Sequence, residues 1–494
     1  VMALAMASLA LDTRLVAPLV FAVACACLGP NPFLDDDETT TVDQTGDGDG
    51  DGEPGSCTDN VKNGDETAID CGGSCPPCDD GLACVEPSDC SSGVCVGEIC
   101  QAPSCDDEVQ NGDELGVDCG GPDCGFCQHG NFSTELDDFE GSAATIPQVA
   151  MFADRSFALT YNGPMQARAR WFDELGAPQG PGVELSATVQ FVGNRRIPLF
   201  AGAGDQHPIH TLEAGTDAMS MSTDLFLIHR TPASEDNTIR INALNQAVSE
   251  GDLTVDGSQV AISWTLNKQI LTRRLDYDVA DGAWIDISAF EAEPLPTDFE
   301  GGQPAMARNA AGVSVVAWVR CASGGFPCDI AVRRFDAGWI DPAPVLAPDL
   351  PPGYGLGELQ VAIADDGRVG VIWTLIDIDQ TSVAAWLLDA ELMSEGPIWI
   401  LQADIPSSTA GDVAALSDGS FAFVWPDTGQ DRVHLRRFVG PDMPKLPDVG
   451  DESPWPVVDT PRFASIAGVD GRLVVVWSAI VDGVSQIQGQ VLSY

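Results

Sequence analysis

Asp418-Gly419-Ser420-Phe421-Ala422-Phe423-Val424-Trp425 decides the reading of this chain. In Asp418-Gly419 the glycine accepts positive φ and the aspartate bonds its own backbone, so the pair marks a tight turn. The five residues after Ser420 read as a strand. They are apolar at successive positions rather than alternating, as expected of a strand covered on both faces. Sister stretches end at Trp264, Trp318 (Gly312-Val-Ser-Val-Val-Ala-Trp318), Trp373 (Gly367-Arg-Val-Gly-Val-Ile-Trp373) and Trp477 (Gly471-Arg-Leu-Val-Val-Val-Trp477), so the five tryptophans recur every 52 to 55 residues. A period of this size marks a propeller, solenoid or array.

Around each tryptophan strand lies the rest of a unit. An opening strand precedes the turn (Gln148–Phe152, Pro304–Ala307, Gln360–Ile363, Phe463–Ile466), and a third strand follows, carrying Arg273-Arg274, Arg333-Arg334 or Arg436-Arg437. Three or four short antiparallel strands in about 50 residues is the arithmetic of a propeller blade. Counting back from Trp264 by two periods reaches Tyr161, so one divergent unit is inferred between them, with its middle strand near Ile209–Leu212. The expected fold class is therefore all-β: a seven-bladed β-propeller over 131–494, preceded by a small disulfide-rich module and a disordered acidic linker. Six blades is the count if the divergent stretch is not a unit. The last unit stops after its third strand, and Asn131–Phe139 is the segment expected to supply the missing outer strand.

The N-terminal region carries different signals. Arg14 precedes the apolar run Leu15–Ala24, too short to span a bilayer but right for the core of a secretory signal. Residues 1–24 are read as that signal. Ala22-Val-Ala-Cys25-Ala-Cys27 then resembles a bacterial lipobox, which implies lipidation at Cys25, with Cys27 as the alternative. Residues 25–55 are rich in Asp, Gly and Thr, and such a segment buries too little apolar surface to offset its ordering entropy.

Twelve of the sixteen cysteines fall in 56–128. Cys57, Cys71, Cys75 and Cys78 return as Cys105, Cys119, Cys124 and Cys127, while Cys84, Cys90, Cys95 and Cys100 lie between the copies. Behind an export signal this pattern reads as a disulfide framework whose connectivity is open; Cys321 and Cys328 read as a further bridge pinning a hairpin loop. Asn63-Gly-Asp-Glu-Thr-x-x-Asp70-Cys-Gly-Gly, repeated with Leu115 for the threonine, resembles the cysteine-rich repeats of surface lipoproteins from myxobacteria and related bacteria. That resemblance covers about 70 residues and implies location more than activity. The repeat also concentrates oxygen ligands, Asn63, Asp65, Glu66 and Asp70 in one copy and Asn111, Asp113, Glu114 and Asp118 in the other. Calcium is one reading of them; side chains that shape the loops between bridges are the other. No other cofactor is expected.

Catalytic motifs are missing: there is no Gly-x-Ser-x-Gly elbow, no His-Glu-x-x-His and no phosphate-binding glycine loop. The turns place Asp and Gly adjacent and do not match the Ser-x-Asp-x-Gly-x-Thr-Trp boxes of sialidase-type propellers. On this basis the chain is expected not to be an enzyme. His207, His210 and His229 are too few and too awkwardly spaced on strands for a convincing metal site. A formal net charge of −52 argues against nucleic acid and anionic surfaces as partners. The resulting expectation is an exported, lipid-anchored protein of the outer membrane or cell surface. It meets the bilayer through its acyl anchor, and its propeller binds or scaffolds a glycan or protein. A glycan-cleaving enzyme and a passive spacer are the alternatives.

Overall fold

The computed structural model describes residues 56–494 except 122–123, 135–144, 163–166, 186–189, 192–198, 202–206, 217–223, 234–236, 243–247, 257, 279–282, 287–290, 293–298, 326, 337, 349, 351–353, 378–379, 406–410, 439–460 and 482–483. The expected signal, the lipidation candidates Cys25 and Cys27, and the expected acidic linker lie outside the described residues.

Seven antiparallel sheets follow one another along the chain as the blades of a β-propeller. Their inner strands are Thr145–Met151, Leu199–Ala201 beside Gln190–Phe191, Val248–Asp256, Phe299–Arg308, Gly355–Ile363, Asp412–Ala415 and Arg462–Val469, numbered here as blades 1 to 7. The divergent second unit is a blade, its second strand Ile209–Thr216 pairing with Asp224–Arg230. In four blades the turn after the inner strand holds its glycine at positive φ: Gly312, Gly367, Gly419 and Gly471.

The repeated tryptophan sits on the second strand and wedges against the preceding blade. Trp373 packs with Val315, Ala317 and Ile330 of blade 4, Trp425 with Ile372 and Ala385 of blade 5, and Trp264 with Leu212 and Leu227 of blade 2. Trp318 and Trp373 are fully buried, and Tyr161 takes the same place in blade 1 against Val474 and Val476 of blade 7. Alternate residues of the second strand face opposite neighbours. In blade 4, Val315 and Ala317 face blade 5 while Val316 and Trp318 face Ala261 and Ile270 of blade 3. Both faces are apolar for that reason, and the sequence shows no alternation.

Ring closure comes from the N-terminal side. Cys127–Thr134 pairs with Val484–Ser493 as the outer strand of blade 7. It begins four residues before the expected Asn131 and is followed as far as Thr134, residues 135–139 lying outside the described residues. Phe132 on this strand packs, tilted, against Phe157 and Phe172 of blade 1 at 5.2 and 5.1 Å. Opposite it, a Cβ added at Gly489 would stand 2.2 Å from the Phe132 ring.

Ahead of the closing strand, six disulfides hold 56–127. The two copies pair alike, Cys57–Cys75 with Cys71–Cys78 and Cys105–Cys124 with Cys119–Cys127. Cys84–Cys95 and Cys90–Cys100 staple the segment between them. The second copy docks on the propeller: Arg437 donates to the Gly121 carbonyl at 2.6 Å, and Phe126 packs on the cluster of blades 6 and 7. No helix among the described residues is long and apolar enough to cross a membrane.

Replacing a fully buried wedge should therefore cost far more than replacing a half-buried outer-strand tryptophan. Trp373→Ala is expected to lose about 3–5 kcal/mol and Trp399→Ala about 1 kcal/mol in urea unfolding followed by far-UV circular dichroism.

Candidate functional site

An inner strand leaves one edge without a partner, and seven such edges facing one axis would leave many backbone N–H groups orphaned. The chain answers with side chains from the same strands. Asp252 of blade 3 accepts the Met306 N–H of blade 4 at 2.7 Å. Asp412 of blade 6 accepts the Ile466 N–H and the Ser465 hydroxyl of blade 7 at 3.1 and 2.8 Å. Ser465 Oγ in turn accepts the Val149 N–H of blade 1 at 3.3 Å. Gln148 and Gln360 occupy the corresponding places in blades 1 and 5.

Between these strands runs an axial channel of about 280 Å³, walled by residues of all seven inner strands. Gln148, Asp252, Gln360, Asp412 and Ser465 supply its polar lining, and Arg308 adds a guanidinium.

One end of the channel is shaped by a recurrent irregularity. The inner strands of blades 1, 3, 4, 5 and 7 each shift register just before the channel-lining stretch. In four of them the bulged residue has positive φ: Ile146 at 53°, Gln303 at 51°, Glu358 at 50° and Phe463 at 48°. A β-branched or bulky residue in this region is strained, and such strain gathers at binding and switch sites. The backbone repeats while the side chain does not: an isoleucine, an amide, an acid and an aromatic stand at one geometric position. Sequence reasoning missed all four, because no residue type marks the position.

The opposite end carries the glycine turns and the disulfide module. There Arg437 pairs with Asp418 and donates to Ser420 Oγ at 2.9 Å, and Arg334 pairs with Asp341 at 2.6 Å. Arg333 donates to the Asp341 carbonyl at 2.7 Å and lies over the Trp339 ring. These arginines tie strands and turns together.

The three histidines do not converge. His207 pairs with Asp154 at 2.6 Å, whereas His210 Nε2 and His229 Nδ1 lie 3.1 Å apart on neighbouring strands of blade 2. His229 stacks on Tyr277 of blade 3 at 3.9 Å. Burial, with the charge of His229 second, pushes His210 down to about 3, and burial pushes His229 down to about 4. Cys321 and Cys328 are bonded across the hairpin of blade 4.

In the disulfide module the candidate calcium ligands are turned onto their own loops. Asp70 accepts the Asp59 and Asn60 N–H groups, and Asp118 those of Asp107 and Glu108. Glu66 accepts the Asn63 N–H and Glu114 the Asn111 N–H, at 3.0 and 3.2 Å. Asp65 accepts from Ser74 Oγ at 2.7 Å. Asn63 and Asn111 donate to Asp59 and Asp107. Asp113 lines a cavity of about 290 Å³ with Asn111 and Glu114.

No protein-family model matches the chain, and no curated protein does. Solved structures resemble it in fold. A sialidase of Trypanosoma rangeli in complex with the inhibitor DANA aligns at TM-score 0.39 and 11% identity, over 73% of this chain and 59% of the sialidase, so the chain spans about three-fifths of that relative. An α-L-arabinanase of Penicillium chrysogenum, complexed with arabinobiose, aligns at 0.39 and 10%, over 74% and 97%. The polysaccharide lyase Uly1 aligns at 0.45 and 11%, over 78% and 94%. These likenesses correct one expectation. The chain was read as no enzyme because catalytic motifs are missing, yet propellers of similar fold include two glycosidases and a lyase, so the missing motifs do not set catalysis aside.

Both histidines of the buried pair have folded-state values below the ordinary 6.5, so the unfolded chain binds protons that the fold excludes. Their stabilising share is whole above pH 6.5 and is lost as the pH falls toward 4. A urea midpoint series is expected to show His210→Phe losing less stability than the parent between pH 7 and pH 4.5, by roughly 1–2 kcal/mol.

Proposed function

We propose that this is an exported, lipid-anchored envelope protein whose propeller takes up a neutral, hydroxyl-rich glycan at the bulged end of the channel, beside Gln303, Glu358 and Phe463. The observation that carries the reading is the bulge at that end: one strained backbone position repeated in four blades, with Ile146 buried and Gln303, Glu358 and Phe463 partly or wholly exposed. A purely structural repeat has no need of such variety. The mouth also lies at the end away from the disulfide module, which docks near Asp418 and Arg437.

The channel lining offers amide, hydroxyl and carboxylate groups suited to sugar hydroxyls. A net charge of −52 disfavours acidic polymers, which makes the neutral glycan the better fit. Cleavage of the bound glycan is a second reading that the same site accommodates. A protein partner and a passive spacer are the competing outcomes.

Residues 56–494, with disulfides intact, are expected to bind at least one neutral oligosaccharide saturably on a glycan array and in isothermal titration calorimetry. Combined Gln303→Ala and Glu358→Ala substitutions should weaken that affinity about ten-fold or more, whereas Glu391→Ala, at the opposite end, should not. Release of a smaller sugar during incubation would mark the protein as a glycan-cleaving enzyme. Silence across neutral glycans, or binding indifferent to the mouth substitutions, would contradict the proposal.

A further inference from the structure

Each copy of the cysteine-rich repeat sets one glutamate against a disulfide. Glu66 Oε1 lies 3.4 Å from Cys75 Sγ, and Glu114 Oε1 lies 3.3 Å from Cys124 Sγ. Both sulfurs belong to bridges, Cys57–Cys75 and Cys105–Cys124, so neither has a proton to donate. The other oxygen of each carboxylate accepts an asparagine N–H, from Asn63 or Asn111, which holds the group in place. In each copy the carboxylate oxygen and both sulfurs lie within 4.8 Å of one another. A carboxylate against a disulfide that cannot donate is not an evident source of stability, and it occurs twice.

Burial supplies a contrast. In Cys71–Cys78 and Cys90–Cys100 both residues are buried, and Cys84–Cys95 and Cys119–Cys127 each bury one. Cys57–Cys75 and Cys105–Cys124 bury neither. The two bridges of the module that burial leaves open are the two faced by a carboxylate.

We propose that Glu66 and Glu114 guard the Cys57–Cys75 and Cys105–Cys124 disulfides electrostatically against anionic thiols. In exchange, a thiolate attacks one sulfur and forms a mixed disulfide; the electron pair of the broken S–S bond leaves on the other sulfur as a thiolate. A carboxylate within contact of the bridge opposes the approach of a negatively charged thiol such as glutathione and the charge growing on the departing sulfur. A thiol bearing a cationic amine, such as cysteamine, meets attraction on approach, so its rate is much less affected. Cys321–Cys328 serves as an internal comparison: it is half-buried, and its neighbour Asp329 is paired with Arg320 at 2.9 Å.

The test is native reduction of the whole protein at low ionic strength with glutathione or cysteamine, followed by alkylation and peptide mapping of each bridge. Glu66→Gln keeps an acceptor for the Asn63 N–H. It is expected to speed glutathione attack on Cys57–Cys75 about five-fold and cysteamine attack about two-fold or less, with Cys105–Cys124 unchanged. Glu114→Gln should give the mirror result. Equal acceleration by both thiols would mean a loosened loop and overturn the proposal, as would no acceleration. In the unsubstituted protein, raising the salt to about 0.5 M should narrow the difference between the two thiols more at these bridges than at Cys321–Cys328, where only the general field of the acidic chain acts. A difference indifferent to salt would also overturn it.

Discussion

The rest of the structure depends on the aromatic wedge that six of the seven blades, all but the second, drive into the one before. A tryptophan on the second strand fills the gap between two twisted sheets, where the packing of Trp373 against Val315, Ala317 and Ile330 is the clearest case. A large indole buried in this way contributes more apolar area than any other side chain could at that point. Because each blade must cover an apolar face of its neighbour, the ring cannot be left open. Cys127–Thr134 closes it, with Phe132 packed against blade 1.

Closure has a second consequence. The strand that completes blade 7 begins at the last cysteine of the module, so Cys119–Cys127 joins the disulfide framework directly to the ring. The module therefore docks at the end of the propeller that carries the glycine turns, fixed there by Arg437, Gly121 and Phe126. Its docking at the glycine-turn end adds to the difference that bulges and turns already make between the two channel ends. The end with bulged inner strands stays uncovered by the module, and its side chains differ from blade to blade.

Much of this was legible in the sequence. The even spacing from Trp264 to Trp477 gave the blade, and the double gap back to Tyr161 located the divergent second one, whose strands at Ile209–Thr216 and Asp224–Arg230 carry no tryptophan motif. The bulges were not legible, because Ile146, Gln303, Glu358 and Phe463 share a backbone conformation and no chemistry. Nor was the stitching by Asp252, Asp412 and Ser465, which needs the neighbouring blade's edge in view. Disulfide pairing was open for a similar reason: spacing leaves many pairings, and only the folded loops choose among them. The missing catalytic motifs were given too much weight, since a site built from side chains on several blades leaves no contiguous signature.

The central claim is that recognition happens at the bulged mouth. Hydrogen–deuterium exchange of residues 56–494, with and without a saturating neutral oligosaccharide or envelope glycan fraction, tests it most directly. Protection is expected at 301–306, 357–361 and 462–466, with the glycine turns at 309–312, 364–368 and 416–420 unchanged. Protection confined to those turns, or spread over the outer strands with the inner strands untouched, would contradict it.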